Sequence, residues 1–92
     1  MNELKYDEPV IYVGPNVLKF GIMQFQVYSD GLPEFVKRAI QAIPEIKTLI
    51  VPVEELEKTR AKLDNTASYE NRIFKKIQKA ADEKKRAENI KK

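Results

Sequence analysis

Two short apolar stretches near the start of the chain predict β-strands. Residues 10–13 form a β-branched and aromatic run that stops at a Gly-Pro-Asn turn sequence. In the segment 22–28, apolar residues alternate with glutamines, which is the period-two pattern of a strand with one buried face. The alternating apolar residues are Met23, Phe25 and Val27. We expect the two strands to pair antiparallel, with residues 14–21 as their connection.

A helix is predicted over residues 33–43 and a third strand over residues 47–51. Apolar side chains recur at helical spacing up to Ile43, and Pro33 suits the first helical position because its missing N–H would have no partner there. Pro44 ends the helix, and the sequence Lys-Thr-Leu-Ile-Val follows. A strand, a helix and a strand over about thirty residues predict a βαβ unit with a right-handed crossover. The sheet would then be three-stranded and mixed, with the helix packed on one face.

Two further helices are predicted after this sheet. Acidic residues followed by basic ones favour a helix over residues 54–63, since this order suits the helix dipole. Ser68 is a suitable N-cap for a helix that starts at Tyr69. The predicted fold is therefore α+β, with a β-β-α-β sheet unit and two C-terminal helices.

The predicted chain has an uneven charge distribution and four parts. Residues 1–71 hold 8 basic and 11 acidic side chains, a net −3, whereas residues 72–92 hold 9 basic and 3 acidic ones, a net +6. An acidic body therefore carries a basic arm, an asymmetry that often marks an interaction segment. The predicted parts are a flexible N-terminus (1–8), an α/β body (9–65), an amphipathic helix (66–81) and a charged segment that is a frayed helix or a disordered tail (82–92).

The amphipathic helix presents two candidate interaction faces. At about 100° per residue, its basic side chains gather on one side and its apolar side chains on the other. The basic stripe consists of Arg72, Lys75, Lys76 and Lys79. The apolar face consists of Tyr69, Ile73, Phe74 and Ile77. That apolar face either docks a partner or packs back on the domain, and packing back is the commoner arrangement.

The basic stripe suits two kinds of partner. An acidic protein surface would relieve the repulsion between its like charges, and nucleic-acid phosphates would also bind lysine and arginine. No aromatic side chain interleaves with the stripe, and no recognised nucleic-acid-binding pattern surrounds it. We therefore expect a protein partner more than a nucleic acid.

The composition argues against an enzyme. The chain has no His, Cys or Trp, which removes most zinc, haem, iron–sulfur and thiol- or imidazole-dependent arrangements. The acidic residues near 54–64 match no calcium loop and suit a first helical turn without any metal. We expect no catalytic residue, cofactor, metal or small-molecule substrate. We also expect no membrane segment, because no apolar run approaches the length needed to span a bilayer.

Three local motifs together resemble a known group of proteins. They are Tyr12-Val13-Gly14-Pro15, Gly31-Leu32-Pro33 with Val36, and Leu49-Ile50-Val51-Pro52-Val53. In this order they resemble short, mostly uncharacterised proteins of tailed bacteriophages and prophages, encoded among genes for the capsid and head–tail structures. The resemblance covers about residues 10–65 and implies a role in or near virion assembly. It brings no catalytic residues with it.

These observations lead to one expected function and one alternative. We expect a non-enzymatic phage or prophage structural or assembly accessory protein, acting through contacts with itself or other virion components. It would be found in the cytoplasm of the bacterial host or associated with the virion. The alternative is a small nucleic-acid-binding protein that uses the basic C-terminal helix. An inhibitor that masks a host protein fits the same sequence features as the first.

Overall fold

The first strand forms the centre of the sheet. The computed structural model describes the backbone of residues 8–90 and the side chains of residues 8–82. Strand β1 (Val10–Tyr12) lies between β2 (Val27–Tyr28) and β3 (Ile50–Pro52), and both pairings are antiparallel. All three β1 residues are buried. Their continuous apolar run suits this position, because a central strand covered on both faces has no solvent side.

The α+β class and the β-β-α-β order are confirmed, but the predicted mixed sheet is wrong. Ile11 of β1 is paired with Val27 of β2 on one side and with Val51 of β3 on the other. Since both neighbours are antiparallel to β1, β2 and β3 run in the same direction, as a strand–helix–strand unit requires. However, β1 is inserted between them, so no parallel pair forms.

Four α-helices accompany the sheet in the described residues. They are α1 (Glu34–Ala42), α2 (Glu45–Thr48), α3 (Leu56–Asp64) and α4 (Tyr69–Ile90), with 3₁₀ turns at Leu18–Phe20 and Val53–Glu55. Pro33 is the N-cap of α1 rather than its first helical residue. The third strand begins at residue 50 instead of residue 47, because Pro44 opens a second short helix. Ile46 of this helix and Leu49, its C-cap, are fully buried and have the three-residue spacing of one helical face.

The predicted buried face of the segment 22–28 is also wrong. Met23, Phe25 and Val27 are 45%, 43% and 50% exposed. Only residues 27–28 form a strand, because the chain turns at residues 23–26, where the Gln26 N–H donates to the Met23 carbonyl (3.3 Å). This turn changes which side chains point inward. The buried residues of the segment are its two ends, Ile22 and Tyr28.

Tyr12 lies at the centre of the core. Its hydroxyl donates to the Pro15 carbonyl (2.7 Å). Burial raises the pKa of Tyr12, and it raises the pKa of Tyr28 as well. Gly14 leaves room for the ring, since a Cβ at this position would stand 2.5 Å from the Tyr12 hydroxyl oxygen. The glycine of the Tyr-Val-Gly-Pro motif is therefore explained by packing.

The C-terminal helix belongs to the same core. Ile73 and Ile77 of α4 are buried together with residues of β1, α1 and α2. The backbone of α4 continues as helix to Ile90, through most of the segment predicted as a frayed helix or disordered tail. The predicted flexible N-terminus lies outside the described residues, except for Glu8. The last two residues of the predicted tail, 91–92, also lie outside them.

Candidate functional site

The start of α4 is fixed by side-chain hydrogen bonds, as the sequence predicted. The Asn71 backbone N–H donates to Ser68 Oγ (3.0 Å), the N-cap bond expected for a helix that begins at Tyr69. Ser68 Oγ in turn donates to the Lys62 carbonyl (2.5 Å), and Asn71 Nδ2 donates to the Leu63 carbonyl (2.7 Å). These bonds join the end of α3 to the first turn of α4. The orientation of α4 on the body is therefore well defined.

The four residues of the predicted apolar face do not stay together. Ile73 and Ile77 are buried in the core, and Phe74 is half-buried against it. Tyr69 is 59% exposed at the first position of the helix. Most of this face therefore packs on the domain itself, which was the commoner of the two arrangements considered.

The basic stripe is fully presented to solvent. Arg72, Lys75, Lys76 and Lys79 are all exposed. Among the residues whose side chains the structure describes, none of the four forms an ion pair with a carboxylate. An ion pair between Lys62 Nζ and Glu70 Oε2 (3.9 Å) joins α3 to α4 and involves no residue of the stripe. The stripe's charges therefore remain available to a partner.

A groove of about 310 Å³ lies where the 23–26 turn meets α3 and α4. It combines apolar, basic, acidic and amide side chains from three separate parts of the chain. The lining residues are Gln24, Phe25, Arg60, Leu63, Asp64, Asn71, Phe74, Lys75 and Gln78. Of the predicted interaction residues, Lys75 and Phe74 take part in it. The groove is thus continuous with the basic stripe on α4.

Phe25 is held in the groove in a strained backbone conformation. Its φ is +67°, in the left-handed region that L-residues with a Cβ enter at a cost. The turn is held in place by bonds to an earlier part of the chain. The Phe25 N–H donates to the Tyr12 carbonyl (2.6 Å), and the Gln24 N–H donates to Asn16 Oδ1 (2.7 Å). The result is a large aromatic side chain left partly exposed on a fixed turn.

Arg60 completes the basic side of the groove. Its guanidinium carbon lies 5.5 Å from the centre of the Phe25 ring, within the range of a cation–π contact. Sequence reasoning missed both residues as site members. Phe25 fitted the pattern of a buried strand face, and Arg60 was one of several bases in a helix. No sequence pattern links the two residues, because only the folded structure brings their segments together.

The groove combines positive charge with amide side chains. Arg60 and Lys75 supply positive charge, and the amide groups come from Gln24, Asn71 and Gln78. Two of these amides already donate within the domain, Gln24 Nε2 to the Val13 carbonyl and Asn71 Nδ2 to the Leu63 carbonyl. The described residues contain no cluster of three acidic side chains placed to hold a metal ion. Across residues 8–90, no helix combines the length and the apolar character that crossing a bilayer demands.

Comparisons with known proteins add no relative. No protein-family model, no curated protein sequence and no solved structure matches the chain.

Proposed function

We propose that this chain is a non-enzymatic structural or assembly accessory protein that acts through protein–protein contacts made by the basic stripe. The observation that carries the proposal is the exposure of all four stripe cations on a helix whose opposite side is anchored in the core. Because the helix backbone is already ordered, binding a complementary acidic surface costs little backbone freedom, and the loss is confined to the Lys and Arg side chains. The setting within phage or prophage virion assembly rests on the motif resemblance, and the location would be the host cytoplasm or the virion.

Repulsion within the stripe supports an acidic protein partner. Arg72 and Lys76, like Lys75 and Lys79, are like-charge pairs four residues apart, each unfavourable by about 0.2–0.5 kcal/mol. The helix tolerates this cost because its other side is packed in the core. An acidic surface placed against the stripe would remove the repulsion and add favourable pairs.

The residue inventory supports a role without catalysis. The chain has no His and no Cys, the side chains that most often act as general base, metal ligand or thiol nucleophile. The groove instead offers an aromatic ring, two cations and amides, which are typical of recognition surfaces.

Photo-crosslinking in the cell that naturally makes the protein tests the proposal. A benzophenone amino acid at Gln78, a groove residue on the Lys75 side of the stripe, keeps all four stripe cations. The same amino acid at exposed Gln41 of α1 is the matched control. We expect discrete protein adducts from position 78 that are absent at position 41. They should disappear when the four stripe residues are changed to Gln. They should persist when four other exposed cations, Lys37, Arg38, Lys47 and Lys58, are changed to Gln.

Two results would overturn the proposal. The first is that position 78 yields no protein adduct beyond those seen at position 41. The second is that its adducts lose their added mass on nuclease treatment, which would identify a nucleic acid as the partner. Circular dichroism of each variant, matched to the native chain, ensures that a lost adduct reflects a lost contact.

A nucleic-acid-binding role is the second candidate, and one structural observation favours it. The partly exposed ring of Phe25 lies beside Arg60 in the groove that Lys75 also lines, so an aromatic surface for base stacking adjoins basic residues. Asp64 in the same groove opposes it, because a carboxylate repels phosphates. Titration of labelled single-stranded and duplex oligonucleotides tests this role. Binding would weaken with salt with a log–log slope of about −0.7 to −0.9 per phosphate neutralised.

A further inference from the structure

The groove beside Phe25 calls for a partner with a particular chemistry. Its lining includes the ring of Phe25, which lies 5.5 Å from the guanidinium carbon of Arg60, and a second cation, Lys75. Its one acidic member is Asp64, so the lining carries a net positive charge. A complementary surface therefore needs an apolar side chain with carboxylates directly beside it. The apolar group would cover the ring, and the carboxylates would pair with the two cations.

The chain carries such a surface itself. The segment 53–57 comprises the 3₁₀ turn Val53–Glu55 and the beginning of α3. Val53 is one of the exposed large apolar side chains, and Glu54, Glu55 and Glu57 around it are exposed too. This acidic segment is part of regular structure. It is therefore presented in a fixed shape that needs little ordering on binding.

We propose that the groove of one copy binds the acidic segment 53–57 of a second copy, an inference that rests on the proposed protein–protein function and names its partner. The acidic segment stands at the start of α3, whereas the groove residues Arg60, Leu63 and Asp64 occupy its middle and end. Two copies with their α3 helices antiparallel about a two-fold axis place each acidic segment against the other copy's groove. The contact then forms twice, as in an isologous dimer.

A charge-swap experiment tests this contact with the full-length chain. The acidic-side variant carries Glu54→Lys, Glu55→Lys and Glu57→Lys. The basic-side variant carries Arg60→Glu, Lys75→Glu and Lys79→Glu. In the first variant both surfaces are basic, and in the second both are acidic, so each should repel its own copies. An equimolar mixture restores opposite charges at both contacts.

Solution mass by sedimentation velocity or light scattering gives the readout. We expect the native chain to associate at about 0.02 M salt and to dissociate at about 1 M, where charges beyond about 3 Å are screened. Each charge variant alone should be monomeric, and the mixture should associate again. A control with the same charge change on α1 and α2 should associate as the native chain does. Its substitutions are Lys37→Glu, Arg38→Glu and Lys47→Glu.

A second variant tests the apolar part of the contact without changing any charge. Phe25→Gly removes the ring and accommodates the positive φ, so the domain should remain folded. Loss of a central aromatic anchor should raise the dissociation constant about 30-fold or more. The proposal is overturned if the native chain stays monomeric at low salt, if the folded charge variants do not associate on mixing, or if Phe25→Gly leaves association unchanged.

The outcomes also separate this inference from the proposed function. A monomeric native chain that still gives stripe-dependent protein adducts in the cell has a different protein partner, so only the self-association is wrong. A chain that associates in purified form yet gives no stripe-dependent adduct in the cell contradicts the proposed function.

Discussion

Replacing Phe25 by glycine and, separately, by alanine measures the backbone strain at the 23–26 turn. Both substitutions remove the ring and its contact with Arg60, so these losses cancel when the two variants are compared. What remains is the effect of a Cβ on a residue with φ +67°. The left-handed conformation costs an L-residue about 1–2 kcal/mol that glycine does not incur.

The unfolded chain works in the opposite direction. Glycine gains more conformational freedom on unfolding, which favours alanine by about 0.4–1 kcal/mol. The difference leaves Phe25→Gly more stable than Phe25→Ala by about 0.5–1 kcal/mol. For a domain of this size that corresponds to a melting temperature about 2–8 °C higher. At an ordinary helical position the alanine variant is instead the more stable of the two.

Urea and thermal unfolding of the two variants supply the measurement. Lys37, exposed within α1, is the matched control, since there alanine should be more stable than glycine by about 1 kcal/mol. The reasoning would be refuted if Phe25→Ala were as stable as Phe25→Gly or more stable. The turn would then not hold its third residue at positive φ.

Three other substitutions test the core, the helix cap and the buried tyrosine. Ile77→Ala should lower the free energy of unfolding by about 2–5 kcal/mol, because this side chain is fully buried, and a urea titration showing under about 1 kcal/mol would contradict its core position. Ser68→Ala should cost about 1 kcal/mol in thermal unfolding, whereas Thr66→Ala, at an exposed neighbour, should be nearly neutral. Since burial raises the pKa of Tyr12 above its unfolded value near 10, the stability it contributes is complete below that pH and is lost as pH rises further. In urea titrations the native chain should therefore lose more stability than Tyr12→Phe between about pH 8 and about pH 11, and parallel losses would show that Tyr12 is not the titrating group.

The sequence predicted helix ends correctly where the residues that determine them are close together in the chain. Ser68 was identified as the cap of α4 because serine hydroxyls bind the free N–H groups of a first helical turn. Pro33 and Pro44 marked the limits of α1 to within one residue. These signals depend on bonds between near neighbours, so a single sequence contains them.

The sheet and the groove depend on partners that are far apart in the chain. Ile11 is paired with residues 16 and 40 positions away, and local pattern does not say which strand takes the central place. The same holds for Phe25, since the bonds that turn its segment outward come from Tyr12 and Asn16. A positive φ at phenylalanine has no sequence signal, because glycine is the residue expected there.

The groove was unpredictable for a further reason. It joins the 23–26 turn to α3 and α4, and its two key groups, Phe25 and Arg60, come from segments with unrelated patterns. The basic stripe was recognisable because its members share one helix. The role in phage assembly that the motif resemblance implies stays a prediction.

The central place of β1 has a consequence for how the protein is made. Strand β1 needs β3, which is made about 40 residues later and ends at residue 52, before both of its edges are paired. The core around it also needs Ile73 and Ile77, near the other end of the chain. Nascent chains that end before residue 52 expose unpaired strand edges, and such chains are prone to aggregate. Stable folding therefore waits until α4 has been made, and the basic helix cannot be deleted as a separable arm.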